Sequence, residues 1–131
     1  MKSAVNKRKI HTVVSLFLLF TGFLMCRYVL LGLHGMKEFP ELLFCFGLII
    51  IGIAAIFNGQ KIMLCTAAGY SIGFLLGFLF QSERRGSGGY MVNTMWEVWA
   101  LTMLGCVFIG IVWEILSKAI RNHSRKKEVS P

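Results

Sequence analysis

The chain has 131 residues, of which 56% are hydrophobic and only 15% are charged, and its mean hydropathy is +0.67. This composition excludes an ordinary soluble domain of this size and indicates a membrane protein. The net charge of +8 would suggest nucleic acid as the partner of a soluble protein. Here nine of the fourteen Lys and Arg residues lie near the two termini, which instead indicates contact with lipid headgroups and no nucleic acid partner.

Four segments, near residues 12–33, 41–57, 62–80 and 96–117, approach the roughly 20 apolar residues that a helix needs to cross the hydrocarbon core. They should be helices, because in lipid each backbone amide needs a partner within its own segment, and none of them alternates as a barrel strand does. The sequence therefore predicts an all-α, four-helix transmembrane domain over residues 12–117. A basic cytoplasmic N-terminus (1–11) precedes it, and a basic, disordered cytoplasmic tail (118–131) follows it.

The first segment follows a basic stretch, as in a secretory signal peptide, but it is long and has no small-residue cleavage site, so we expect an uncleaved helix. Arg27 is the one charge well inside an apolar segment. Its side chain can extend to the outer interface, where we expect an ion pair with Glu97 or, as the alternative, with Glu41. The loop residues Arg84 and Arg85 complete a predicted polar cluster on the outer face.

Local signals mark the three connections. Pro40 is suited to the first turn of the second helix, and Asn58 with Gly59 to a helix C-terminus, so the second and third helices should form an antiparallel hairpin. The third connection, SERRGSGGYMVNT, is the longest and is predicted to be a flexible loop. Asn93 or Thr94 would cap the last helix.

The third segment carries a stripe of small residues at every fourth position, Cys65, Gly69, Gly73 and Gly77. Such a stripe allows close helix packing within the four-helix bundle. The alternative to this favoured interpretation is a surface for self-association or for the helix of a partner protein.

Near the end of the fourth segment, Glu114 precedes Lys118 by four residues, the favourable order for an ion pair on a helix. A membrane-embedded carboxylate is also what a proton-coupled transporter requires.

The distribution of charge predicts the orientation. With four spans, both termini share a side, which then holds ten Lys and Arg residues against four on the other side, so both termini should be cytoplasmic. The predicted interface anchors are aromatic: Tyr28, Tyr90, Trp96 and Trp99 at the outer surface and Trp113 at the inner one.

The stretch GFLLGFLFQSERRGSGGYMVNTMWEVW resembles small, uncharacterised four-helix membrane proteins of bacteria. The matching positions are Gly73, Gly77, Gly88, Gly89, Asn93, Trp96 and Trp99. The resemblance implies an architecture and a bacterial plasma membrane, and it implies no activity.

We expect no enzyme and no cofactor or metal, because the sequence has no nucleophile with a base and no ligand cluster. The four cysteines lie in different apolar segments and are expected to be small core side chains. The main hypothesis is an accessory or regulatory membrane subunit, including envelope-stress or immunity roles, with a membrane-protein partner or a second copy of the chain. The alternatives are a small oligomeric transporter or channel and, third, a holin-like lysis protein.

Overall fold

The computed structural model describes residues 2–30, 32, 38–89 and 91–130, and most of them are helical. Among the described residues, four long helices are present: α1 (Lys2–Leu24, continued by a π-helical segment, Met25–Val29), α2 (Phe39–Ile56), α3 (Gln60–Leu79) and α4 (Met95–Val129). All four are long and apolar enough to cross a membrane. The prediction of a helical fold with four potential membrane spans is therefore confirmed.

Consecutive helices run in opposite directions, and α3 packs against each of the other three. One end of the structure, which we call the terminal end, holds the start of α1, the turn between α2 and α3, and the second half of α4. At this end the Arg8 guanidinium on α1 donates a hydrogen bond to the carbonyl of Ala55 on α2. The opposite end, the loop end, holds the end of the π-helical segment, the starts of α2 and α4, and the end of α3.

The predicted turn signals are present. Pro40 lies in the first turn of α2, where a missing amide proton costs nothing. At the end of α2, Asn58 adopts a left-handed backbone with φ of 62°. The amides of Asn58 and Gly59 donate to the carbonyls of Ala55 and Ala54, which forms a Schellman motif and satisfies the last turn of the helix.

The connection between α3 and α4 differs from the predicted flexible loop, because it contains a short antiparallel ribbon. Strand β1 (Glu83–Arg85) pairs with β2 (Met91–Asn93), so the described fold is not purely helical. At the base of the ribbon, the Thr94 hydroxyl accepts a hydrogen bond from the Ser82 amide over 3.0 Å. The N-cap residue of α4 is Thr94, one of the two predicted, but its side chain forms no cap hydrogen bond; Asn93, just before it, accepts a hydrogen bond at Oδ1 from the Met95 amide over 2.9 Å.

Both basic terminal segments are helical in the structure, which differs from the disordered tail expected from the sequence. Helix α4 continues to Val129, and α1 already begins at Lys2. Residues 118–129 contain neither glycine nor proline, and extending an existing helix by one residue costs far less than starting a new one. The described part of the tail therefore continues the helix to Val129, although all side chains of residues 118–130 are exposed.

The core lies between the helices and is aromatic and sulfur-rich. Its fully buried side chains include Leu19, Ile51, Met63, Tyr70, Trp99 and Met103. The outer surface is also apolar, with side chains such as Phe17 and Ile56 exposed by 69% and 77%. Exposed apolar surface of this extent is typical of helices that face lipid.

Candidate functional site

The structure places Arg27 in an ion pair with Glu41, the alternative partner predicted from the sequence. The Arg27 Nη2 atom lies 2.9 Å from Glu41 Oε1, which links the end of α1 to the first turn of α2 at the loop end. The ion-pair partner predicted first for Arg27, Glu97, is not the one that the structure shows. It lies in the first turn of α4 and forms no ion pair with another described residue.

The predicted outer cluster is therefore only partly assembled. Arg84 and Arg85 lie on β1, where their side chains are exposed and paired in register with Val92 and Met91. Within the described part of the chain, Arg27 and Glu41 are the two members of the predicted cluster that form an ion pair. The ribbon holds the two loop arginines in an ordered element, but it does not bring them against Glu97.

The small-residue stripe of α3 packs against α4 of the same chain. Gly69, Gly73 and Gly77 are buried against α4, and a Cβ atom added at Gly69 would lie 2.7 Å from the Cβ atom of Cys106. The contact is reciprocal, because a Cβ atom added at Gly110 on α4 would lie 2.9 Å from the Cβ of Cys65. The stripe therefore serves helix packing within the chain, and its glycines present no free surface to a partner.

Trp99 is not the interface anchor predicted from the sequence. Its side chain is fully buried, and its Nε1 donates a hydrogen bond to the Tyr70 carbonyl over 2.9 Å. Trp96, Tyr28 and Trp113 are exposed by 42%, 71% and 53%, which suits residues at a membrane interface. The remaining predicted anchor, Tyr90, lies outside the described residues.

The best-developed polar site is at the terminal end, around Glu114. This carboxylate is 6% exposed, and its Oε2 accepts a hydrogen bond from the Lys61 amide over 3.2 Å. The first amides of a helix have no partner within the helix, so Glu114 on α4 satisfies one of them at the start of α3. The predicted pair with Lys118 is also present, with Lys118 Nζ 3.7 Å from Glu114 Oε1.

Lys61 adds a second link between the same two helices. Its Nζ donates to the Ser117 hydroxyl over 2.6 Å and lies 4.6 Å above the centre of the Trp113 ring. An ammonium group over an indole ring is a favourable cation–π arrangement. Lys118 Nζ in turn donates to the carbonyl of Phe57 over 3.4 Å, which connects this site to the end of α2.

These groups surround an open cavity of about 450 Å³ at the terminal end. Lys61, Lys118 and Arg121 line it together with Glu114, so its charged groups are three cations and one carboxylate. The pair of Glu114 and Lys118 is predicted from the sequence, whereas the role of Lys61 is not. The turn signal in NGQK was the available clue, because it places Lys61 in the first turn of a helix that packs against α4.

The charged groups around Glu114 do not form a cluster of metal ligands. Within residues 2–30, 32, 38–89 and 91–130, no group of three or more His, Cys, Asp or Glu side chains could hold a metal ion. Glu114 has partners at both carboxylate oxygens, which makes it a fixed structural group. What the site can do chemically is attract an anion, since cations are in excess around the cavity.

The comparisons with known proteins add no relative. The chain matches no protein-family model, no curated protein and no solved structure at a significant level.

Proposed function

We propose that this chain is a multi-pass membrane protein with both termini in the cytoplasm, acting as an accessory or regulatory subunit of a bacterial plasma membrane. The observation that carries the proposal is an interior filled by tightly packed side chains between helices that are apolar on their outer faces. A protein of this kind works through its surfaces, because its interior is committed to holding the helices together.

The packing around Trp99 is the centre of that interior. The indole ring forms edge contacts with Tyr70 and Phe74, whose ring centroids lie 5.3 Å and 5.2 Å away, and with Phe39 at 5.7 Å. The polar side-chain atoms near Trp99 also form hydrogen bonds within the interior, since the Tyr70 hydroxyl donates to the Pro40 carbonyl over 3.1 Å. Filled space with satisfied polar atoms favours a structural interior over a transport pathway.

The orientation rests on charge. The terminal end holds ten Lys and Arg residues in the four-span arrangement, and such an excess marks the cytoplasmic side of bacterial membrane proteins. A cysteine-accessibility or reporter-tag assay at each terminus tests this part of the proposal. Labelling of either terminus from outside the cell contradicts it.

The subunit role is tested by purifying a tagged full-length chain from its native membrane in mild detergent and identifying the co-purifying proteins by mass spectrometry. Gly52 on α2 and Gly105 on α4 are suitable positions for variants, because a Cβ added at either meets no atom within 4 Å. Gly52→Leu and Gly105→Leu therefore alter the outer surface and spare the core, and the corresponding alanine variants control for the loss of glycine. A stoichiometric partner lost in a leucine variant supports the proposal, whereas a chain that purifies alone or only with itself contradicts it.

One observation favours the alternative of a small oligomeric transporter or channel. The hydroxyl of Ser15 on α1 is fully buried and has no hydrogen-bond partner among the described residues. A buried polar atom of this kind is costly in an apolar interior and can mark a place where water enters. Ion flux in proteoliposomes, abolished by Ser15→Ala and retained in Ser3→Ala, would favour this alternative over the subunit role.

A further inference from the structure

We propose that the terminal end of α4 binds one anionic phospholipid, with its phosphate in the cavity beside Glu114 and an acyl chain along the adjacent face of α4. The proposal rests on the membrane location argued above and is independent of the subunit role. It joins two features of the structure, a cationic pocket and an apolar groove, which are connected by the contact between Lys61 of the pocket and Trp113 of the groove.

The cationic pocket is the cavity of about 450 Å³ lined by Lys61, Lys118 and Arg121. Glu114 already neutralises part of this charge and fixes Lys118 in place over 3.7 Å. The remaining excess of positive charge suits a phosphodiester, which carries a single negative charge. Basic pockets at the cytoplasmic ends of transmembrane helices are a recurrent way of binding phosphate headgroups.

The apolar groove lies immediately before the pocket on α4. It has a volume of about 280 Å³ and is lined by Phe108, Ile109, Val112, Trp113 and Leu116. These residues recur at intervals of three and four and therefore share one side of the helix. From Phe108 to Leu116 the helix rises by about 12 Å, which covers most of the roughly 15 Å of hydrocarbon in one leaflet.

Trp113 places the two features next to each other. Its ring forms part of the groove, and the ammonium group of Lys61 lies 4.6 Å above the ring centre. One turn further along α4, Ser117 lines the pocket and accepts the hydrogen bond from Lys61. A molecule that fills both sites must be ionic at one end and apolar over a length of several methylene groups, which describes a phospholipid better than a free phosphate ion.

Fluorescence of Trp113 provides the test. The full-length protein, carrying Trp96→Phe so that the exposed Trp113 dominates the lipid-sensitive signal, is reconstituted into phosphatidylcholine vesicles. In one sample a small fraction of the lipid is brominated phosphatidylglycerol, and in a parallel sample the same fraction is brominated phosphatidylcholine. The brominated acyl chains of either lipid quench tryptophan fluorescence on contact. We expect stronger quenching by the brominated phosphatidylglycerol at equal fractions, and loss of the signal in Trp113→Phe.

Matched charge variants distinguish a site from general attraction to the basic helix. Arg121→Gln removes a pocket cation from an exposed position and should lower the preference for phosphatidylglycerol about fivefold, the usual contribution of one cation near a membrane surface. Lys127→Gln removes the same charge further along α4 and should leave the preference nearly unchanged. Val112→Phe fills the groove and should reduce quenching by both lipids.

Three results would overturn the proposal: equal quenching by the two brominated lipids, equal losses in Arg121→Gln and Lys127→Gln, or full displacement of the brominated phosphatidylglycerol by inorganic phosphate. The last result would identify a site for a free anion. Failure of the membrane proposal looks different, because the protein would then not float with the vesicles in a density gradient.

Discussion

Replacing Gly73 with alanine tests a close contact between α3 and α4. The added Cβ would lie 2.7 Å from Cδ1 of Trp99 and 2.9 Å from the Trp99 carbonyl oxygen. Ordinary contacts of a Cβ atom begin at 3.4 Å, so α3 and α4 would have to separate by roughly 0.5 Å at the carbonyl. A backbone oxygen cannot rotate away as the end of a side chain can, and the helices must therefore move as a whole.

The expected magnitude is the difference between two opposing effects. Overpacking of a well-packed interior costs about 1–3 kcal/mol, and the backbone contact places Gly73 near the upper limit. Alanine in place of a helical glycine contributes about 1 kcal/mol in the opposite direction. We therefore expect Gly73→Ala to lower the free energy of unfolding by about 2 kcal/mol. Gly52→Ala, at an open position, should leave stability unchanged or raise it by up to about 1 kcal/mol.

Reversible unfolding of the purified chain in mixed micelles, with increasing SDS, measures both variants on one scale. Circular dichroism follows the helices, while tryptophan fluorescence follows the surroundings of Trp99, whose Nε1 bonds to the Tyr70 carbonyl. If Gly73→Ala proves as stable as Gly52→Ala, the stripe is not an internal contact and the packing argument is refuted. If Gly73→Ala abolishes oligomers of the chain while its free energy of unfolding is unchanged, the alternative role of the stripe as a surface for self-association or for a partner helix is favoured.

Three further predictions concern individual polar contacts and use the same unfolding assay. Glu114→Gln should lower the free energy of unfolding by only about 1 kcal/mol, because it loses the charge that pairs with Lys118 but its amide oxygen can still accept the hydrogen bond from the start of α3. Glu114→Leu should lower it by about 2 kcal/mol, because the donor at the start of α3 is then unsatisfied. Equal losses in the two variants would contradict this role of Glu114. Tyr70→Phe should cost about 1 kcal/mol through loss of the hydrogen bond to the start of α2, and no measurable loss would argue against that bond. Double-mutant cycles should give a coupling free energy of up to about 1 kcal/mol for Arg27 with Glu41, because this ion pair is partly exposed. The cycle for Arg27 with Glu97 should give no coupling, because that pair is not formed. Coupling only in the cycle with Glu97 would refute the observed pairing.

The spans and turns could be predicted because each depends on local chemistry. A long apolar run needs an internally satisfied backbone wherever it lies in the molecule, and this alone identifies the four helices. Asn58 tolerates the left-handed backbone that ends α2, and Pro40 suits a helix start, so both signals hold without knowledge of the neighbours. The Glu114 and Lys118 pair is local in the same sense, being one helical turn apart.

The rotation of each helix about its axis could not be predicted in the same way. A helix in a soluble protein reveals its buried side by the contrast between apolar and polar faces, but α4 is apolar on several sides within its span. Trp96 and Trp99 therefore looked alike in the sequence, although one is 42% exposed and the other is fully buried. The choice of Glu41 over Glu97 as the partner of Arg27 depends on the same rotation.

The helical C-terminal segment changes how the charge of the chain has to be interpreted. In the proposed orientation, α4 leaves the hydrocarbon near Ser117, and Lys127 lies about 15 Å further along the helix axis if the helix stays upright. That distance exceeds the Debye length of about 8 Å at physiological ionic strength. Lys118 and Arg121 then act directly on headgroups, while the distal lysines act weakly or serve a cytoplasmic partner. A disordered tail would let all of these cations reach the lipid, so the difference between Arg121→Gln and Lys127→Gln reports on the rigidity of α4 as well as on the lipid site.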